Sequence, residues 1–199
     1  MSQYHFCIDR CSKALVALGA NQTSKLGAPA ATINFALSYL RLSANTIVRS
    51  SHLYSTPCFP AGYGPDYVNA AAEISFKGGS SELLAILHSI EVIFGRVRGE
   101  RWGKRVLDAD LIAFGTQVLP DLYTYKKWRD LPISDQMLQT PDQLILPHPR
   151  LQDRAFVLRP LMDLVPDWIH PVSGLKIKEI YAQLPPKDRA EVKLILERA

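Results

Sequence analysis

No stretch of this sequence approaches the ~20 consecutive apolar residues that a helix needs to cross a bilayer, which argues against a membrane-spanning helix. The opening MSQYHFCIDRCSK lacks the apolar core of a secretory signal, so the expected location is the cytoplasm. Cysteine is scarce. Cys7, Cys11 and Cys58 cannot all pair, and the first two have the wrong spacing for a zinc knuckle, with no second Cys or His pair to complete one. Free, reduced thiols are the expectation. Internal repeats and low-complexity tracts are also missing, and 199 residues suit a single domain over 1–199. What remains is an ordinary globular composition, 47% hydrophobic and 21% charged. A net charge of +4 points to an anionic partner such as nucleic acid, phosphate or nucleotide, and the charge is unevenly distributed.

Along the chain, ALVALG (14–19) reads as a buried strand closed by glycine. Pro29 suits the first turn of a following helix, whose broad apolar face is read from Ile33, Leu37 and Leu40 with Phe35 and Leu42. TIVRSSHLYS is rich in β-branched and aromatic residues and reads as one strand. TPCFPAGYGP (56–65), with three prolines and two glycines, can only be loop. YVNAAAEISF (67–76) is another strand. SSELLAILHSIEVIFG then reads as a helix capped by Ser80 or Ser81, with Leu83, Leu87, Ile90 and Phe94 at helical spacing. The order β, α, β, β, α, β predicts an α+β, ferredoxin-like sandwich with an antiparallel sheet. From Thr116 to Gln143 the pattern dissolves into a long polar connection, either a functional lid or an appended element. Residues 147–168 predict short helical turns, 173–184 a last helix, and the tail after Pro186 carries no clear pattern.

The segment RWGKRVLDADLIAF (101–114) raises a chemical question. Strand side chains alternate between faces, so Asp108 and Asp110 project together, with Ile112 and Phe114 further along, while Leu107, Ala109, Leu111 and Ala113 face the core. Like charges roughly 6 to 7 Å apart repel unless a cation intervenes, and Mg²⁺ commonly takes one or two carboxylates, leaving its other positions to water and phosphate. An edge strand with solvated aspartates would look the same. Upstream, Arg96, Arg98, Arg101, Lys104 and Arg105 stand against a single acid, Glu100, and a cluster of this kind grips phosphate oxygens. Tyr67 and Asn69 share a strand face, which suits recognition of a planar heterocycle but also suits a core tyrosine with a turn asparagine. His148, between Pro147 and Pro149, cannot lie within a helix or central strand; it could contact phosphate or pack a loop.

Taken in order, ALGAN (17–21), YSTP (54–57), DYVNAA (66–71), GRVRGERWGKRVLDADLIAFG (95–115) and LPHPRLQDRAFVLRPL (146–161) resemble the 6-hydroxymethyl-7,8-dihydropterin pyrophosphokinase family of folate biosynthesis. The resemblance covers about residues 13–184 apart from an insertion at about 116–142. It implies transfer of pyrophosphate from ATP to 6-hydroxymethyl-7,8-dihydropterin, with two Mg²⁺ ions on Asp108 and Asp110. It implies that Arg96, Arg98, Trp102 and Arg105 belong to a loop that closes over ATP, and that Arg96, Arg98 and Arg105 act with the two aspartates in catalysis. The pterin would stack between Tyr67 and Phe156, near Trp102, and be read by Asn69 and by Thr56 and Pro57. Glu91, His148 and Arg154 would line the ATP site with Arg98, Trp102 and Arg105. Some members carry glutamine at the position of His88, and arginine and threonine at those of Gln143 and Ile145. The loop around Gly99 is one residue shorter than in some relatives.

The implied partners are ATP and the pterin, with neither nucleic acid nor membrane, and the expected state is a monomer too short to contain a fused second enzyme of the pathway. A ferredoxin-like sheet with a basic loop is also the RNA-recognition layout, but the K/R-G-F/Y-G/A-F-V string does not occur. An ordinary kinase releasing ADP is the third reading.

Overall fold

The computed structural model describes residues 11–44, 46–58, 64–95, 106–132, 135 and 138–196. A six-stranded antiparallel sheet forms the middle layer. Its strands are β1 (Ser12–Ala20), β2 (Ile47–Ser50), β3 (Tyr54–Thr56), β4 (Tyr67–Phe76), β5 (Asp108–Phe114) and β6 (Lys193–Leu194). They lie in the order β5-β1-β4-β3-β6, with β2 also on β4. Helices α1 (Pro29–Ser43) and α2 (Ser80–Ile93) cover one face, against Ala14, Val16 and Leu18 of β1 and Leu107, Ala109 and Leu111 at β5. Counting β2 and β3 as one interrupted strand, the topology is the expected βαββαβ unit. Helices α3 (Leu122–Arg129), α4 (Ala155–Leu164), α5 (Ile177–Gln183) and α6 (Pro186–Ala190) follow. Of these, α4 and α5 pack on the other face against Leu15, Ala17, Ala71 and Ile112. No helix among the described residues is long and apolar enough to cross a membrane.

Several local expectations change. TIVRSSHLYS is two strands rather than one, because the chain leaves β4 after Ser50 and rejoins it at Tyr54. On α1, Phe35 and Leu42 are 50% and 80% exposed, and Thr32 and Ala36 complete the buried stripe with Ile33, Leu37 and Leu40. A helix 15 residues long packed on a sheet buries only the i, i+3/i+4 stripe, which excludes those two positions. For α2, neither Ser80 nor Ser81 caps: Gly79 is the N-cap, without a side-chain bond, and Ser80 is buried in the first turn. Gly19 does not close β1 but lies within it.

The strand with the aspartates carries a β-bulge. Leu15 pairs with Ala113 and Val16 with Leu111, leaving Ile112 as the extra residue. Strict alternation fails beyond it: Phe114 turns toward α1 and α2, and Ala113 joins Ile112 on the α4 face. The face sharing assigned above to Phe114 and Ala113 is therefore reversed, while that of Asp108 and Asp110, ahead of the bulge, is not affected.

The described residues of 116–143 are not structureless. Reciprocal backbone bonds between Leu119 and Leu146 (2.9 and 3.2 Å) pinch the base of this stretch. Asp121 caps α3 by accepting the Thr124 N–H at 2.9 Å. Tyr125, the buried residue of α3, meets His170 at 3.1 Å. A hydrophilic helix anchored by one tyrosine has no apolar periodicity to announce it. The tail also has form: after α6, β6 pairs with β3 through Tyr54–Leu194 and Ser55–Lys193.

Candidate active site

Cross-strand register brings distant sequence pieces into rows. Gly19 pairs with Asn69 on one side and Asp108 on the other, and Asn69 pairs with Tyr54. The next row holds Asp110, Ala17 and Ala71. Residues directly opposite across an antiparallel pair project to one face. Asp108, Asp110, Asn69 and Tyr67 thus share the face on which α4 packs. Gly19 leaves a gap in this floor: a Cβ there would meet Asn69 Oδ1 at 3.4 Å and Tyr67 Cδ1 at 4.0 Å. Its role went unread from sequence, where only the ALGAN motif could have signalled it.

At the end of the site next to β3, Asn69 is buried and its Nδ2 donates to Thr56 Oγ1 at 2.9 Å, while Thr56 pairs with Tyr67 across β3 and β4. Pro57 follows at the exposed end of β3. Asn21, also buried, donates from Nδ2 to the Pro65 carbonyl at 3.3 Å, tying the end of β1 to the chain entering β4. Phe156, in the first turn of α4, is 40% exposed, and the Arg154 guanidinium lies 5.7 Å from its ring centroid.

At the acidic end, Arg154 Nη1 reaches Asp110 Oδ2 at 3.3 Å. The backbone N–H of His148 donates to the Ile112 carbonyl at 2.7 Å, so the bulged residue holds the Pro147–Pro149 turn beside β5. His148 Nδ1 accepts the Arg150 N–H at 3.1 Å, which leaves the ring proton on Nε2 as a donor. Burial, then the charges of Arg154 and Arg150, holds its imidazole pKa well below the ordinary value, although Asp108 opposes the shift. Glu91, 3% exposed on α2, accepts the Ala109 N–H at 2.9 Å and so fixes the backbone between the two aspartates. Arg96, Arg98, Trp102 and Arg105, with Arg101 and Lys104, lie outside the described residues.

Among the described residues no three His, Cys, Asp or Glu side chains gather as a self-sufficient metal site. The pair Asp108 and Asp110 offers oxygen donors alone, which fits a hard divalent cation completed by water and phosphate.

Fold and site together define a class: a ferredoxin-like α+β protein whose sheet, on the face where α4 packs, sets paired carboxylates beside an arginine and a neutral histidine. The family model for 7,8-dihydro-6-hydroxymethylpterin-pyrophosphokinase matches residues 15–166, and this chain belongs to that family. The 2-amino-4-hydroxy-6-hydroxymethyldihydropteridine pyrophosphokinase of Pseudomonas aeruginosa is 38% identical over 175 residues, 87% of this chain and 92% of the relative. The protein of the same name from Synechocystis is 35% identical over 176 residues, covering 88% and 77%. Among solved structures, Plasmodium falciparum HPPK-DHPS (wild type, with SDX-DHP) aligns with 86% of this chain at a TM-score of 0.55 and 16% identity. That likeness speaks for the fold, and this chain spans 43% of the structure's length.

Proposed function

We propose that this chain transfers the β,γ-pyrophosphoryl group of ATP to the hydroxymethyl oxygen of 6-hydroxymethyl-7,8-dihydropterin, as a step of folate biosynthesis. The observation that carries the reading is the row in which Asp108, Gly19, Asn69 and Tyr54 align across four strands. Asp108 in this row and Asp110 in the next share a face with the Asn69 amide, with Gly19 between Asp108 and Asn69, which supports a nucleotide's phosphates and a planar heterocycle meeting there.

The pterin ring stacks between Tyr67 and Phe156, with Asn69, Thr56 and the backbone at Pro57 reading its polar edge. Asn69 is preset for this because its amide is already held by Thr56. Trp102 closes the same pocket, and Arg96, Arg98 and Arg105 supply positive charge to the triphosphate. His148 offers its Nε2–H to a phosphate oxygen, and Arg154 balances Asp110 while facing the same charge. Asp108 and Asp110 would hold magnesium, two ions with the nucleotide, which when bound would screen the phosphate charge and favour loss of the attacking hydroxyl's proton.

The hydroxymethyl oxygen attacks the β-phosphorus in line, the bond from that phosphorus to the α,β-bridging oxygen breaks, and AMP leaves. The hydroxyl proton passes to solvent. The chain's own contribution is positioning and charge, as in other phosphoryl transfers. Incubating the protein with Mg-ATP and the reduced pterin tests the reading: AMP and the pterin diphosphate are expected. ADP as the nucleotide product, or no pterin-dependent turnover, would contradict it.

A further inference from the structure

Two turns beyond Phe156 on α4, Asp163 gathers four donors. It accepts the His52 backbone N–H at 3.2 Å, His52 Nδ1 at 3.0 Å, the Tyr54 hydroxyl at 2.9 Å and Arg159 Nη1 at 2.9 Å. The side chain is only 15% exposed. Arg159 also lies over the Tyr54 ring, its guanidinium carbon 4.8 Å from the centroid. Burial raises the Asp163 carboxyl pKa, but the bonds from His52, Tyr54 and Arg159 together outweigh it and leave the group below its ordinary value. Burial first, then Asp163, pushes the Tyr54 hydroxyl up to about 12, so it remains a donor.

Phe156, Arg159 and Asp163 are spaced by three and seven residues, which puts them along one face of α4. Arg159 and Asp163 grip Tyr54. Tyr54 in turn stands directly opposite Asn69 and two residues before Thr56, the partner of Asn69. One helix face therefore carries an aromatic ring at the site and, at its far end, a charged clasp on the strand that bears the reading edge. Apolar packing allows small slides of a helix across a sheet. A clasp of directional bonds to a single carboxylate allows one register, since a slip strands buried charge.

We infer that Asp163 and Arg159 are positioning residues that set the register of α4 on β3, and with it the spacing between Phe156 and the Thr56–Asn69 pair that receives the pterin. The inference rests on the reading of Phe156 and Asn69 as pterin contacts.

The test compares Asp163→Asn, Phe156→Ala and the double variant, with pterin and Mg-ATP affinities measured separately below each variant's melting temperature. Asp163→Asn is expected to weaken pterin binding roughly tenfold, about 1.4 kcal/mol, while leaving Mg-ATP affinity within about twofold. In the Phe156→Ala background the same substitution is expected to add little, because the ring it positions is gone. Equal loss of both affinities, or full additivity in the double variant, would overturn the inference and leave Asp163 a residue of general stability. Normal pterin affinity in Asp163→Asn alongside weakened affinity in Phe156→Ala would overturn it too, with the pterin site intact. Unchanged pterin affinity in Phe156→Ala would instead remove the reading on which it rests.

Discussion

Asp108 and Asp110 are where residue type and geometry constrain the chemistry most tightly. Replacing Asp110 with alanine removes a charge that Arg154 faces and on which a cation would rest. Turnover is expected to fall at least ~10²-fold, the scale of losing one strong electrostatic stabiliser. Steady-state kinetics with saturating ATP checks this, and near-normal turnover would refute the role. Gly19 offers an independent probe. A valine there would press against Asn69 Oδ1 and the Tyr67 ring, so the pterin KM is expected to rise roughly tenfold with the ATP KM unchanged. The aspartate pair is legible in the sequence because strand alternation depends only on local spacing. Gly19 is not, because its importance comes from facing Asn69 and Asp108 across two ladders, and register between strands 40 or more residues apart leaves no local mark.

Among the elements, the βαββαβ order follows from hydrophobic periodicity and punctuation by glycine and proline, and the structure has it. What the pattern misses has physical causes. The bulge at Ile112 reverses Ala113 and Phe114, yet DADLIAF remains a plausible straight strand on paper. Helix α3 is polar on most sides and owes its docking to one ring. His170 Nδ1 accepts the N–H groups of Val172 and Ser173 at 3.1 and 3.2 Å, so its Nε2 proton points to the Tyr125 oxygen, while Trp168 meets the imidazole edge-on. Tyr125→Phe leaves that proton without this acceptor. A loss of about 1 to 2 kcal/mol is expected, a melting temperature roughly 2 to 8 °C lower, with kcat unaffected. Thermal unfolding and turnover measured side by side check this. A fall in kcat without a fall in melting temperature would make 116–142 part of the catalytic apparatus instead of an appended element.

For the whole molecule, the buried histidine gives stability a definite pH dependence. Burial lowers the His170 pKa from 6.5 to about 4. Between those values the unfolded chain binds a proton that the folded chain refuses, so stability rises with pH across the window and falls as the solution is acidified through it. The expected loss from about pH 7 to about pH 5 is on the order of 1 to 3 kcal/mol from this group, read as a lower urea midpoint. A His170→Gln variant should lose this part of the pH dependence, and an unaltered slope would contradict the assignment.

In the proposed reaction Asp108 and Asp110 would hold magnesium beneath the nucleotide's phosphates. Calorimetric titration of a non-hydrolysable ATP analogue, with magnesium present and with it chelated, tests this most directly, using wild type and the Asp108→Asn, Asp110→Asn double variant. At least a roughly tenfold loss of affinity on chelation is expected in wild type and almost none in the double variant. Wild-type affinity indifferent to the chelator, or a double variant that responds as wild type does, would contradict it.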